Sequence, residues 1–313
     1  LDMNKTIKNL FSYPYNSKLI FQITEKVLNK QSGGYILSFH EVSPEVFESH
    51  IKSLLPSKPI PLEEIVQRHR LGKSTKECFA ITFDDGVRNT VLKNWEVCLK
   101  NNWPVTFYLP INYINGENLP YQKILLIEKS LNEKFDSFPQ TDDKNFKNIS
   151  KKKLIAELFK MIYVSNKSKV NSYLDHFIKQ ILDYDKIKQS MPKAINWNEV
   201  REISKNYLSS FQSHGLSHTA VSAMSEKEIK SEMVESKNAI EECTGKKVNS
   251  FCYPYGAARS INKLSVEIAS KYFDSATTLI RGRLKKNNLY YLPRIDLYEE
   301  NETSLVRLKV AIS

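Results

Sequence analysis

A chain of 313 residues that is 41% hydrophobic and 11% aromatic can bury one large core or two modest ones, which excludes a disordered polymer. Its net charge of +11 is concentrated: between Lys144 and Lys193 twelve lysines outnumber Glu157, Asp175, Asp183 and Asp185, a local excess of eight. No interleaved aromatic pattern accompanies those lysines, so nucleic acid is set aside as a partner, and they read mainly as the solvated faces of helices.

Leu1-Asp2 precede Met3, which reads as the native start. No apolar stretch of about 7–15 residues follows as in a secretory signal, and no run approaches the roughly 20 residues that span a bilayer. A cytoplasmic location is therefore expected, and Cys78, Cys98, Cys243 and Cys252, which form no CxxC pair, agree with it as reduced thiols. Residues 1–32 form an N-terminal helical segment, with two short helices broken near Pro14. This segment and the lysine-rich stretch both permit peripheral contact with a membrane, although packing against the domain is the commoner fate.

Residues 33–313 read as a single body. Gly33-Gly34 opens the strand Tyr35 to Phe39, which ends in His40-Glu41. Helices follow from Ser43-Pro44 to Leu55 and from Pro61 to His69. The strand Cys78 to Phe83 stops at Asp84-Asp85-Gly86, a helix runs from about Asn89 to Asn101, and Val105 to Pro110 is the next strand. This alternation predicts an α/β fold, a distorted (β/α) barrel of about seven parallel strands. Between about residues 113 and 195 the rhythm changes to polar, lysine-rich helical pattern, an inserted lobe over one rim. Strands resume at Leu208 to Gln212, Val248 to Cys252, Ser275 to Thr278 and around Tyr290 to Ile295. Ser225 and Glu228 predict a capping box for a helix running to about Cys243.

Strand after strand ends in a chemically useful group: His40, Asp84-Asp85, His214 and His218, the Tyr253–Gly256 turn, and Arg294. In a parallel barrel all strand C-termini share one face, so these residues converge there. Two adjacent carboxylates repel and call for a cation or a shared proton. His214 and His218, spaced i, i+4, are expected on one side of a helical turn, and two such histidines with a carboxylate make a facial set for a divalent ion.

The stretches TFDDG (82–86), HGLSH (214–218), YPYG (253–256) and YLPRI (291–295) resemble the ordered motifs of the polysaccharide deacetylases, the NodB-homology group or carbohydrate esterase family 4. The FHEV (39–42), YPYG and LPRI forms are most similar to the branch that deacetylates poly-N-acetylglucosamine. The resemblance covers roughly residues 33–112 and 195–300. It implies one divalent ion, Zn2+ first with Co2+, Ni2+ or Mn2+ as substitutes, on Asp85, His214 and His218. By the same resemblance Asp84 is the general base, and Tyr253, Pro254 and Tyr255 form the substrate and oxyanion turn, the backbone N–H of Tyr255 meeting the oxyanion.

Two departures from the family pattern are visible. Phe251-Cys252-Tyr253 stands where the family carries an arginine before the Pro-Tyr-Gly turn, leaving Arg294 or Arg88 to orient the base. No histidine follows His218 to act as general acid, which leaves His40 as the replacement. The expected activity is hydrolytic N-deacetylation of an N-acetylated sugar, in a cell-surface glycan or its nucleotide- or lipid-linked precursor. The alternatives are a deformylase or small-molecule amidohydrolase on the same fold, and a catalytically impaired glycan-binding domain.

Overall fold

A computed structural model of the chain describes residues 33–134, 150–164, 167–181, 191–285 and 288–313. The two helices expected over 4–30 lie outside the described residues.

Seven parallel strands close into a barrel: β1 (Tyr35–Phe39), β3 (Cys78–Phe83), β4 (Val105–Leu109), β5 (Ser209–Ser213), β6 (Ser250–Cys252), β7 (Ser275–Arg281) and β8 (Leu292–Asp296). β1 closes it by pairing with β3 on one side (Phe39 opposite Phe83) and β8 on the other (Ser38 opposite Asp296). β2 (Lys58–Pro59) is a two-residue addition alongside β3. Distortion is local: β5 and β6 share one registered pair, Ser213 with Phe251, and the β7–β8 register shifts between Thr277 and Arg281.

Alternate residues of a strand point to opposite faces, and here they separate two layers. Leu37, Phe39, Ile81, Phe83, Phe107 and Phe211 join the large outer cluster beneath the helices. Phe39, Phe83, Phe107 and Phe211 form a ladder of rings across four neighbouring strands, at 5.2, 5.7 and 5.4 Å between centroids. Phe47 of α1 (Pro44–Ser53) meets Phe39 and Phe83 edge-on. Ile36, Ala80, Tyr108, Cys252 and Leu292 fall in a second cluster together with Leu62, Ile65 and Val66 of α2 (Leu62–Arg70). The inner positions nearer the strand C-termini are polar instead: Ser38, Thr82 and Arg294 are all fully buried. Two of them satisfy each other, Arg294 Nη1 donating to Thr82 Oγ1 while that hydroxyl donates to the Leu37 carbonyl.

α3 (Arg88–Asn101) connects β3 to β4 and ends on Asn102 in the left-handed conformation. Between β4 and β5 stand α4 (Ile111–Ile114), α5 (Pro120–Lys134), α6 (Lys151–Val164) and α7 (Lys167–Ile181). These helices have their own apolar cluster, including Ile124, Leu154, Leu158, Leu174 and Ile178. α8 (Trp197–Ser204), α9 (Glu226–Thr244), α10 (Lys263–Tyr272) and α11 (Thr303–Ala311) complete the outer layer. The capping box of α9 is formed by Ser225 and Glu228 as the spacing predicts, and Asn196 with Glu199 makes another on α8. Among the described residues no helix is long and apolar enough to cross a membrane.

Candidate active site

The site begins where β3 runs out. The Asp84 backbone N–H still donates to Phe39 of β1 at 2.9 Å, and then the chain turns sharply, with Asp85 and Gly86 at φ +70° and +69°. The left-handed φ of Gly86 favours glycine, and a side chain there would have to displace Leu109 Cδ2, 2.7 Å away. The turn sends the two carboxylates into different environments.

Asp84 faces inward. Arg294 Nη1 and Nη2 donate to its two oxygens at 2.8 and 2.6 Å, a two-pronged pairing inside the barrel. Arg294 also donates from Nε to the Thr278 carbonyl and from Nη1 to Thr82 Oγ1, both at 2.9 Å. The Cys252 sulfur lies 3.0 Å from Nη2, and the Tyr108 ring lies beneath the guanidinium at 5.6 Å. Burial alone would raise the Asp84 pKa, but Arg294 outweighs it and holds the carboxyl down at about 2. Arg88, the other arginine considered for this role, instead pairs with Glu199 on the surface, at 2.8 Å from Nε.

Asp85 turns toward the histidines. Its Oδ1 is 3.5 Å from His214 Nε2 and 3.1 Å from His218 Nε2, and its Oδ2 accepts a hydrogen bond from the Tyr121 hydroxyl at 2.9 Å. The stretch 214–218 is not the helical turn expected from its spacing. It is an irregular loop, because Gly215 and His218 both adopt left-handed φ, +79° and +53°. The Glu232 carboxylate of α9 holds this loop by accepting the backbone N–H groups of Leu216 and Ser217 at 2.7 and 3.0 Å. A Cβ at Gly215 would lie 2.8 Å from that carboxylate, so the close approach requires glycine.

The donor set of Asp85, His214 and His218 suits a divalent cation. All three are buried, with their ligand atoms within 4.8 Å of one another. His214 Nδ1 is 2.8 Å from the Cys252 carbonyl, an acceptor, so Nδ1 carries the proton and the Nε2 lone pair points at Asp85. Two imidazole nitrogens and a carboxylate oxygen turned on one point are a metal-binding arrangement. Asp84, His214 and Cys252 lie equally close together, but the Arg294 guanidinium lies beside both Asp84 and Cys252 and would repel a second cation.

His40 follows β1 and is the open side of the site, its side chain 31% exposed. Nε2 lies 3.7 Å from Asp84 Oδ2, and Nδ1 lies 3.5 Å from Asp296 Oδ1. Burial works against the imidazolium, but Asp296, Asp84 and Asp85 prevail and raise the His40 pKa to about 9. The remaining histidines lie elsewhere: His50 contacts the Asn301 carbonyl at 2.8 Å, His69 sits on α2 and His176 is exposed on α7.

The turn after β6 divides its residues. Tyr255 adopts φ +62° and places its ring 4.7 Å from that of His218. Tyr253 is fully buried, and its hydroxyl donates to the Tyr290 carbonyl, so its side chain belongs to the packing rather than to the site. Pro254 is buried behind the Gly215 loop.

Four contributors were not singled out from the sequence: Tyr121, Glu232, Cys252 and Asp296. Asp296 carries a usable signal, since it stands two residues beyond Arg294 on one strand and shares its face. Cys252 reads correctly as a buried small residue, but nothing in its surroundings in sequence indicates the nearby guanidinium.

A family model described as polysaccharide deacetylase matches residues 71–272. No curated protein matches the chain. Among solved structures, the Streptococcus pyogenes deacetylase PplD in complex with acetate is similar at a TM-score of 0.58 and 14% identity, covering 90% of this chain and 98% of that one. IcaB from Ammonifex degensii aligns at a TM-score of 0.56 and 13% identity, over 90% and 97% of the two chains. BC0361, a polysaccharide deacetylase from Bacillus cereus, gives 0.53 and 17%, over 90% and 69%. At these identities the likeness to solved structures is one of fold.

Proposed function

Because this chain belongs to the polysaccharide deacetylase family, hydrolases of N-acetyl amide bonds, we propose that it removes the acetyl group from an N-acetylated sugar with the help of one divalent ion. The sugar is part of a cell-surface glycan or of its nucleotide- or lipid-linked precursor. One observation supports this reading above the others: adjacent carboxylates serve opposite surroundings, Asp84 clamped by Arg294 and Asp85 turned to two imidazoles. A pure glycan-binding domain has no use for such a held base.

Asp85, His214 and His218 would hold the ion, Zn2+ by the chemistry of the donors, which would polarise the amide carbonyl and lower the pKa of the attacking water. Asp84, kept ionised and oriented by Arg294, takes a proton from the attacking water as its oxygen bonds to the amide carbon. The backbone N–H of Tyr255 donates to the developing oxyanion. As the carbon–nitrogen bond breaks, His40 gives its proton to the leaving nitrogen, so the products are acetate and a free amine. Asp296 orients His40 and sustains its charge. The arginine and the acid thus come from β8 and β1, replacing the two groups that the motif pattern lacks.

Acetate release measured against N-acetyl and N-formyl sugars, free, polymeric, nucleotide-linked and lipid-linked, tests the reading. Release from an N-acetyl sugar that is abolished by chelation and restored by Zn2+ is expected. Formate release alone would move the protein to the deformylases, and no release with metal bound would leave a binding domain.

A further inference from the structure

One of the inserted helices makes a side-chain hydrogen bond to the catalytic face. Tyr121, in the first turn of α5, donates its hydroxyl to Asp85 Oδ2, while Oδ1 of the same carboxylate faces both imidazoles. The Tyr121 ring lies 5.7 Å from that of His218, which has Tyr255 as another ring neighbour. Tyr121 and Tyr255 also pack on the apolar cluster of the inserted helices, so the same side chains belong to the lobe and to the site. The start of α5 is itself held firmly. Gln122 accepts the Leu119 backbone N–H at 3.3 Å and donates to the Tyr113 hydroxyl at 3.1 Å, which donates to the Pro192 carbonyl at 2.6 Å.

A buried carboxylate with both oxygens free can present either one, or both, to a cation. A hydrogen bond to one oxygen removes that freedom and orients the other. We propose that Tyr121 is a positioning residue that holds Asp85 Oδ2, so that Oδ1 alone is offered between His214 and His218, and that the inserted lobe is thereby part of the metal centre. The inference rests on the reading of Asp85, His214 and His218 as ligands.

Tyr121→Phe keeps the ring and its packing and removes only the hydroxyl. Leu158→Ala loosens the lobe's apolar cluster without touching Asp85. Zn2+ affinity by chelator competition and the visible absorption spectrum of bound Co2+ are measured for both variants and the unaltered protein. Tyr121→Phe is expected to weaken Zn2+ binding about 10- to 100-fold and to alter the Co2+ spectrum, while Leu158→Ala lowers the unfolding temperature and changes Zn2+ affinity less. Unchanged affinity and spectrum in Tyr121→Phe overturn the proposal, as does an equal loss in Leu158→Ala. If Asp85→Ala binds Zn2+ as tightly as the unaltered protein, the ligand assignment itself fails and the proposal falls with it.

Discussion

Arg294 of β8 and Asp84 at the end of β3 form a two-pronged ion pair inside the barrel, at 2.8 and 2.6 Å, with neither side chain more than 1% exposed. Removing one partner of such a pair strands the other charge in a medium that solvates it poorly, at a cost of about 3–5 kcal/mol. Arg294→Ala is therefore expected to destabilise the fold by about that amount and to raise the Asp84 pKa. Arg294→Lys retains charge but not the fork, and is expected to stay folded with a lower kcat. Denaturant unfolding and steady-state kinetics on the two variants separate the effects, and a fully active Arg294→Ala would refute the orienting role.

Asp84→Asn tests the division of labour between the carboxylates. Turnover is expected to vanish while bound Zn2+, measured by atomic absorption, stays near one per chain. Loss of metal together with activity would mean that Asp84 is a ligand after all.

His40 sets an expectation in pH. As the acid it must hold a proton, and with its pKa raised to about 9 the rate is expected to decline as pH rises through that value. Asp296→Asn removes a group that raises this pKa, so the decline should move to lower pH. The same shift has a stability consequence: the folded-state pKa lies above the unfolded value of 6.5, so this contribution is complete below 6.5 and is lost as pH rises through about 9. His40→Ala should lower kcat at least about a hundredfold with metal content intact. A rate near normal, or an alkaline limb that Asp296→Asn leaves in place, would exclude His40 as the acid.

Gly256 supports the turn that carries Tyr255. It has φ +54°, and a Cβ there would lie 2.3 Å from the Leu279 backbone nitrogen. Gly256→Ala is expected to cost more than about 1 kcal/mol, read as a lower unfolding temperature. An unchanged unfolding temperature would show that the turn relaxes freely.

Much of this site is legible in the sequence because parallel strands deliver their ends to one face. Asp84, Asp85, His214, His218, His40 and Arg294 each follow or close an apolar run, and the topology alone brings them together. What is not legible comes from two sources. Local backbone conformation escapes a spacing argument: His214 and His218 share a neighbour because of two left-handed residues and a glutamate eighteen positions beyond His214, not because of helical periodicity. Contacts from an inserted segment escape it as well. Tyr121 sits in a first helical turn like any other, and only the docking of α5 shows that its hydroxyl reaches Asp85.

Barrel closure between β1 and β8 has a consequence for how the protein comes to life on the ribosome. The base emerges early, but its arginine lies 210 residues later, close to the C-terminal end of the described chain. Until β8 slots between β7 and β1, Asp84 lacks Arg294 and His40 lacks Asp296. A nascent or truncated chain ending before Leu292 thus carries the Asp85–His214–His218 set without a functioning base. Recovery of activity during refolding would then report a long-range step of assembly, the docking of the final strand, rather than the formation of secondary structure.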